Sequence, residues 1–221
     1  DIARFLNDYL PKYNATKENG YIAMFTCNHD TPRPARTLSD REMKLFAGFL
    51  MTMPGVPFVY YGDEIGMRYL DVRTKEGGYH RTGSRTPMQW DDTANAGFTT
   101  GTPWINVNPN YTYINAKQQM GDPNSVFSYY KKLLALRKQY DIITYGRYQL
   151  IMEDDPQVYA YTRTLENERL LIVCNYSNDD AAFTLPEEFE GAECLIQNMD
   201  RAAITGSMTL KPYECFVLYH K

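Results

Sequence analysis

The chain has 221 residues, a formal net charge of −4, 43 % hydrophobic residues and 14 % aromatic residues. This length can bury a core in one large domain or in two modest ones. The negative charge and the lack of any Lys/Arg cluster argue against nucleic acid and anionic membrane surfaces as partners. No apolar run reaches the roughly 20 residues of a membrane span, so a soluble chain is expected.

The first predicted elements are a helix and a strand. An apolar stripe at helical spacing predicts the helix, and Pro11 and the Asn19-Gly20 pair are expected to help end it. The stripe consists of Ile2, Phe5, Leu6, Tyr9 and Leu10. Residues Tyr21 to Thr26 then predict a strand buried on both faces. The polar run Asn28 to Asp30 follows at the carboxyl end of this strand, where catalytic side chains gather in α/β proteins.

A second helix and strand follow. Ser39-Asp40-Arg41-Glu42 has the pattern of a capping box, which predicts a helix that continues until Pro54. Val56 to Tyr61 predict a second buried strand, and this strand ends in Gly62-Asp63-Glu64. Short connections between alternating helices and strands are typical of a parallel α/β unit.

A long aperiodic stretch separates the second strand from the next predicted helix. Loops of some sixty residues are uncommon in compact domains and are usually functional. Asp122 is expected to cap the next helix, with Pro123 at its first position and its end near Gln139.

From Tyr145 the hydrophobic pattern changes to period two, which predicts strands separated by polar turns. The predicted strands are Arg147 to Met152, Val158 to Leu165, Arg169 to Tyr176, Ala181 to Leu185, Ala192 to Asn198 and Glu214 to Tyr219. A small antiparallel sheet domain is therefore expected over residues 142–221.

The four cysteines, Cys27, Cys174, Cys194 and Cys215, lie in apolar strand-like runs without metal-ligand spacing. Reduced, buried thiols in a cytoplasmic protein are expected, with a bridge between Cys194 and Cys215 as the alternative. Because the first residue is Asp1, the chain is expected to be a piece of a longer protein.

Three ordered motifs carry a family resemblance. They are Asn28 to Arg33, Gly55 to Met67 and Ser84 to Asp91. Together they resemble glycoside hydrolase family 13, the α-amylase family, and within it the oligo-1,6-glucosidase and α-glucosidase branch. The resemblance implies an α/β plus all-β fold. Residues 1–141 would form the last helix-strand units of a (β/α)8 TIM barrel, and residues 142–221 an antiparallel β-sandwich domain.

The resemblance also implies which residues act. Retaining glycosidases use two carboxyl groups about 5 to 5.5 Å apart, and this family adds a third that grips the 2-OH and 3-OH of the glucose being cleaved. Asp30 would be this transition-state stabiliser, and His29 the neighbouring donor. Arg85 would reach the pocket floor or brace a loop, and Arg33 would line the entrance or brace its loop. Trp90 would stack on a sugar or pack.

The two reacting carboxylates of the family follow strands that would precede Asp1, so this segment alone is expected to be inactive. Asp63 and Glu64 are expected to shape their loop. No cofactor and no metal are predicted, because the calcium loop of some members would also lie upstream. Gly77 to His80 and Thr82 depart from the nearest branch, where Arg-Asp-x-Ala-Arg is common. The α-1,4 or α-1,6 preference is therefore open.

Three functions fit these observations. The first is a hydrolase acting on short α-linked gluco-oligosaccharides. The second is a relative that transfers or isomerises glucose, similar to trehalose or isomaltulose synthases. The third is a non-catalytic, amylase-like binding module. If the segment were made alone, its strands would leave open sheet edges, and self-association is expected.

Overall fold

The structure is a computed structural model and describes residues 2–71 and 79–221. The helices are α1 (Ile2–Thr16), α2 (Asp40–Thr52), α3 (Ala116–Gly121), α4 (Val126–Gln139) and α5 (Asp141–Tyr145). The strands are β1 (Ala23–Phe25), β2 (Val56–Phe58), β3 (Arg147–Ile151), β4 (Val158–Leu165), β5 (Glu168–Asn175), β6 (Ala181–Thr184), β7 (Glu193–Gln197), β8 (Ser207–Leu210) and β9 (Cys215–His220).

The chain forms two compact units. The first consists of Asp1–Met24, Leu45–Pro57 and Lys132–Lys221, and the second of Phe25–Lys44 and Phe58–Lys131. The division of the sequence at residues 141 and 142 stays a prediction.

Helix α1 continues through Pro11 and ends at Thr16, so the expectation that Pro11 helps to end it was wrong. Aromatic packing on both sides of the proline holds the helix together. The Tyr9 and Tyr13 rings stack at 5.8 Å, and each also contacts Tyr148 edge-on. These contacts outweigh the one backbone hydrogen bond that a proline removes.

The capping box at the start of α2 is confirmed. Glu42 Oε2 accepts hydrogen bonds from the Ser39 backbone N–H at 2.8 Å and from its hydroxyl at 2.7 Å, while the Glu42 N–H reaches Ser39 Oγ at 3.4 Å. The helix ends at Thr52, two residues before Pro54, as expected.

Strands β1 and β2 pair with each other, and both are shorter than predicted. The prediction that they are buried on both faces was wrong. Met24 is buried, but Phe25, Val56 and Phe58 are exposed. A side chain at Gly55 would put its Cβ 2.4 Å from the Ile22 carbonyl oxygen, so only glycine allows the approach at which the Val56 N–H bonds that oxygen.

Helix α4 is capped by Ser125, not by Asp122 as predicted. Ser125 Oγ accepts the Ser128 N–H at 3.0 Å. The Asp122 carboxylate instead accepts the N–H of Asn124 at 2.8 Å, an Asx turn that competes with capping. The helix ends at Gln139, as expected.

The C-terminal strands form an antiparallel five-stranded sheet in the order β3-β4-β5-β9-β7 and a two-stranded sheet of β6 and β8. Their facing side chains share one apolar core, which includes Val158, Leu171, Phe183, Leu210 and Phe216. The six predicted strands are present. Strand β8 was missed, since it has only four residues, two of them polar.

All four cysteines are free, and three are buried. The expectation of a buried thiol was wrong for Cys194, which lies on the edge strand β7 and is exposed. Its partner across the sheet is Leu218, whereas Cys215 lies opposite Cys174. The register therefore separates Cys194 from Cys215.

A buried arginine joins the sheet to two helix ends. Arg163 in β4 donates to the carbonyl oxygens of Thr52 at 2.6 Å, Ile143 at 3.0 Å and Gly146 at 2.8 Å. Thr52 ends α2, and Gly146 caps α5, so the cation lies where both helix dipoles are negative. Burial lowers the pKa of Arg163, but a guanidinium still keeps its proton.

Replacing Arg163 with Met should lower the free energy of unfolding by about 3 kcal/mol, because several buried carbonyl groups lose their donor. Urea unfolding measures the change. Arg169→Met, on the neighbouring strand, removes a partly exposed guanidinium and serves as the control. A change no larger than that of the control would contradict this role for Arg163.

Replacing Ser39 with Ala should lower the free energy of unfolding by about 1 kcal/mol, because the first turn of α2 loses its cap. Thermal unfolding measures this loss. Ser39→Thr keeps the capping hydroxyl and should match the original protein; equal losses in both variants would rule out capping as the cause.

Candidate active site

Asp30 lies in a turn directly after β1. Its backbone N–H donates to Asn28 Oδ1 at 2.8 Å, and the Asn28 N–H donates to Thr31 Oγ1 at 3.0 Å. These local bonds fix the turn, as is typical of asparagine. The Asp30 side chain remains 47 % exposed. The sequence thus folds into a turn that presents a carboxylate to solvent.

Two guanidinium groups and an imidazole surround the Asp30 carboxylate. Arg85 Nη2 lies 2.9 Å and Arg81 Nη1 3.2 Å from Oδ1, and His29 Nε2 lies 3.3 Å from Oδ2. Desolvation raises the pKa of Asp30, but the hydrogen bond from Arg81, the charges of His29 and Arg81 and the hydrogen bond from Arg85 together hold it below its usual value. Asp30 is therefore an anion at neutral pH.

Arg85 holds the turn and its carboxylate at once. Its Nε donates to the His29 carbonyl oxygen at 2.9 Å, while Nη2 donates to Asp30. The planar fork of arginine makes both bonds in one geometry. Arg81 was not predicted as a partner of Asp30. The signal was its place four residues before Arg85, at the first arginine of the segment compared with Arg-Asp-x-Ala-Arg.

Arg33 is buried, with 1 % of the residue exposed. Its Nη1 donates to the Tyr61 carbonyl oxygen at 2.6 Å and Nη2 to that of Ser84 at 3.1 Å, and the Asp63 carboxylate lies 3.4 Å away. The rings of Tyr60 and Tyr61 lie 4.9 and 4.8 Å from the guanidinium carbon. Of the two roles expected for Arg33, lining the entrance or bracing its loop, burial excludes contact of the side chain with solvent, and these bonds fit the second role.

Asp63 completes this buried network. Its carboxylate accepts the Thr26 hydroxyl at 3.1 Å and the Cys27 thiol at 3.2 Å. Desolvation raises the pKa of Asp63, although Cys27, Arg33 and Thr26 act in the opposite direction. Ser84 adds a further tie, since its hydroxyl donates to the Thr31 carbonyl oxygen at 2.6 Å. The segment after β1, the segment after β2 and the segment before Arg85 are thus joined.

An open cavity of 360 Å³ lies beside Arg85. Most of its walls are apolar, and they include Tyr61, Met88, Trp90, Phe98 and Trp104, with Glu64 and Arg85 as the charged residues. From the sequence, Trp90 was expected either to stack on a sugar or to pack. The Trp90 side chain lines this cavity and is 52 % exposed, so it is available for stacking.

The loop between Trp90 and Phe98 contains strained backbone. Asn95, Ala96 and Gly97 have φ of 56°, 59° and 66°, and Ala96 is fully buried. A left-handed conformation costs a non-glycine residue roughly 1 to 2 kcal/mol. The Ala96 carbonyl oxygen accepts the N–H groups of Trp90 and Asp91, which holds the strained turn in place. Strain of this kind is concentrated at functional sites.

Within residues 2–71 and 79–221, no three His, Cys, Asp or Glu side chains are grouped to hold a metal ion. Over the same part of the chain, no helix has the length and apolar character needed to cross a membrane. The Gly77-Gly78 part of the motif that departs from the nearest branch lies outside the described residues.

Known families match almost the whole chain. The α-amylase catalytic domain matches residues 4–146, and the C-terminal domain of maltogenic amylase matches residues 148–217. An oligo-1,6-glucosidase from Parageobacillus thermoglucosidasius is 44 % identical, and a trehalose-6-phosphate hydrolase from Bacillus subtilis 41 %. Each alignment covers 90 % of this chain and 42 % of the relative.

Solved structures agree with these matches. A trehalose-6-phosphate hydrolase from Bacillus licheniformis superposes with a TM-score of 0.85 at 38 % identity, over 98 % of this chain and 46 % of that one. A trehalulose synthase variant superposes with a TM-score of 0.89 at 33 % identity, over 99 % and 47 %. The chain thus spans less than half the length of these relatives.

The turn that carries Asp30, the motif of Arg85 and both domain matches lead to one conclusion. The chain belongs to the α-amylase family, glycoside hydrolase family 13, and contains part of its catalytic TIM barrel followed by an antiparallel C-terminal domain.

Proposed function

We propose that this chain is the C-terminal part of a retaining enzyme that acts on short α-linked gluco-oligosaccharides. Asp30 stabilises the transition state, and His29 and Arg85 contact the sugar. The observation that carries this proposal is the Asp30 carboxylate itself, which is accessible, ionised and held by Arg81 and Arg85.

The arrangement suits an oxocarbenium-like transition state. The two guanidinium groups occupy Oδ1, whereas Oδ2 faces His29 and can accept a sugar hydroxyl. A hydrogen bond between a sugar 2-OH and a carboxylate strengthens as positive charge develops on the ring. Because the carboxylate is held before substrate arrives, it does not have to reorient during the reaction.

The nucleophile and the acid/base belong, in this proposal, to the remaining part of the whole protein, so the chain alone is inactive. Asp63 is buried against Arg33, and Glu64 already accepts the Gly62 N–H at 2.7 Å. Neither is free to form the reacting pair. We propose that the boundary between barrel and C-terminal domain lies at residues 141 and 142. We also propose that the whole enzyme is cytoplasmic, since free thiols persist in that compartment.

The exposed faces of β1 and β2 fit the same proposal. Phe25, Val56 and Phe58 are large apolar side chains in contact with solvent. The rest of a barrel would cover them in the whole enzyme. Without it, these apolar faces and the outer edges of the two-stranded sheet are expected to contact other copies, so the isolated chain should self-associate.

A second candidate is an enzyme that isomerises or transfers glucose. Its support is the likeness to a trehalulose synthase and to an isomaltulose synthase from Klebsiella sp., with TM-scores of 0.89 and 0.87. Both reactions use the same first step, in which the glycosidic bond is broken. Analysis of the products formed by the whole enzyme from sucrose and from isomaltose separates the two candidates.

Replacing Asp30 with Asn in the whole enzyme should reduce kcat at least about 1,000-fold, because a bond made chiefly in the transition state is lost. Steady-state kinetics measure this loss. Asp180→Asn, an exposed carboxylate bonded to Lys211, is the matched control and should retain full activity. Normal turnover by the correctly folded Asp30 variant would remove Asp30 from the mechanism.

Replacing Arg85 with Lys should lower kcat/KM about 10- to 100-fold, because one ammonium group cannot make both bonds of the fork. Arg81→Lys is the comparison, since Arg81 makes a single, longer bond to Asp30. Its loss should be smaller. If the two variants lose activity equally, the positive charge alone accounts for the effect, and the two-bond geometry of Arg85 is not required.

A further inference from the structure

Two cysteines face each other in the centre of the five-stranded sheet. Cys174 in β5 and Cys215 in β9 are register partners, and the Cys174 thiol donates to Cys215 Sγ at 3.1 Å. Both residues are fully buried, and both belong to the same compact unit. The proposed function uses neither of them. The pair is therefore a cluster of reactive groups outside the candidate active site.

The hydrogen bonds around the pair determine whether a disulfide fits between the two strands. The Asn175 N–H donates to the Glu214 carbonyl oxygen at 2.9 Å, so the residue pair next to the cysteines is hydrogen-bonded. The Cys215 N–H and carbonyl oxygen instead bond Asn198, which follows β7. Because the two kinds of pair alternate along antiparallel strands, Cys174 and Cys215 form a non-hydrogen-bonded pair. The Cα atoms of such pairs are about 4.5 Å apart, within the range of about 4.4 to 6.8 Å that a disulfide bridges.

The register makes Cys174, and not Cys194, the partner of Cys215. Cys194 in β7 lies opposite Leu218, three residues from Cys215 along β9. Three residues span about 10 Å of a strand, and side chains at this spacing point to opposite faces of the sheet. A bond between Cys194 and Cys215 would require the strands to pair differently. A bond between Cys174 and Cys215 requires no change of register.

The surroundings of the pair determine how fast it can react. Tyr159 lies opposite Cys174 in β4. Tyr161, on the same face of the sheet, shares a hydrogen bond of 2.6 Å with the Thr52 hydroxyl at the end of α2, so this face is covered. Burial, followed by the hydrogen bond to Cys215, raises the pKa of Cys174 well above its usual value. Because thiols react as thiolates, attack on an oxidant is slow in the folded sheet.

We propose that Cys174 and Cys215 form a reversible redox site, at which a peroxide converts the two thiols into a cross-strand disulfide. One sulfur attacks hydrogen peroxide, the O–O bond breaks, and a sulfenic acid and one water form. The second sulfur then attacks the sulfenic sulfur, so that the S–S bond forms, the S–O bond breaks and a second water leaves. In total, two thiols and one hydrogen peroxide give one disulfide and two waters, and two electrons pass from sulfur to oxygen.

The two steps have different rates. The first is slow because the thiols are buried, whereas the second is fast because its partner already lies in contact with the sulfenic acid. The sulfenic acid is therefore converted into the disulfide before a second peroxide can oxidise it further. This inference goes beyond the proposed function, since it holds whether the whole enzyme hydrolyses or transfers glucose.

The disulfide would cross-link the ends of a segment that contains β6, β7 and β8. A cross-link of this kind stabilises a fold mainly by restricting the unfolded chain. The oxidised domain should therefore resist unfolding better than the reduced one. In the cytoplasm, disulfides are usually transient or redox-sensing, which fits a pair of free thiols that is bridged only under oxidising conditions.

The test treats the whole enzyme with hydrogen peroxide, alkylates the remaining thiols in denaturant and maps the peptides without reduction. We expect a peptide pair linked through Cys174 and Cys215, which dithiothreitol in denaturant separates. Oxidation should also raise Tm by about 5 °C. A link between Cys194 and Cys215 would overturn the proposal, and so would sulfinic acid at Cys174 without a link. Complete alkylation of both buried thiols after Cys194 has been fully oxidised would overturn it as well.

Cys194→Ser is the matched control, because it removes the exposed thiol and leaves the buried pair intact. It should form the same linked peptides and show the same rise in Tm. Cys215→Ser should show neither, and an equal rise in Tm in this variant would contradict the proposal. If Cys215→Ser does not fold, as judged by thermal unfolding of the reduced protein, the peptide maps of the original enzyme and of Cys194→Ser decide the question.

Discussion

The candidate site depends on a buried cation. Arg33 has no contact with solvent, yet its guanidinium bonds the Tyr61 and Ser84 carbonyl oxygens and lies against Asp63. A buried charge is tolerated only when it is paired and hydrogen-bonded, and breaking such a pair typically costs about 3 to 5 kcal/mol. Three segments that are far apart in sequence must therefore adopt one arrangement around this side chain.

This constraint explains how exposed groups keep a defined geometry. Asp30, Arg81 and Arg85 are all partly exposed, and ion pairs in water are weak by themselves. Buried hydrogen bonds fix the backbone next to these side chains. Ser84 directly precedes Arg85, and the Ser84 carbonyl oxygen accepts a hydrogen bond from Arg33. The Ser84 hydroxyl also ties this segment to Thr31, next to Asp30. The buried bonds of Arg33 thus support the solvent-exposed cluster of Asp30, Arg81 and Arg85.

The features of the fold that could be predicted are those determined by residues close together in the sequence. The Ser39 and Glu42 pair needs only neighbouring residues, and the alternation in the C-terminal strands is visible in any short window. Where two local solutions compete, the sequence does not decide: Asp122 and Ser125 are both good caps, and an Asx turn at Asp122 left capping to Ser125. Pro11 was misjudged because the stacking that holds α1 beyond it involves Tyr148, far along the chain.

In the candidate site, too, residue identities could be predicted from the sequence, whereas burial could not. Asp30, His29 and Arg85 were predicted from motifs, which record residue types but not burial. Arg33 belongs to such a motif, and only the packing of Tyr60 and Tyr61 around it reveals that it is inaccessible. The exposure of Phe25 and Phe58 was likewise invisible, because an apolar strand looks the same whether or not both faces are covered.

Because one thiol is exposed and three are buried, the reactivity of the cysteines can report local unfolding of this protein. Cys194 is accessible on an edge strand, whereas Cys27 follows β1, and Cys174 and Cys215 face each other in the centre of the five-stranded sheet. An alkylating reagent would modify Cys194 in the folded protein, but it would reach the three buried thiols only after local unfolding. Mass spectrometry of the labelled peptides would then give separate labelling rates for the barrel segment and for the sheet.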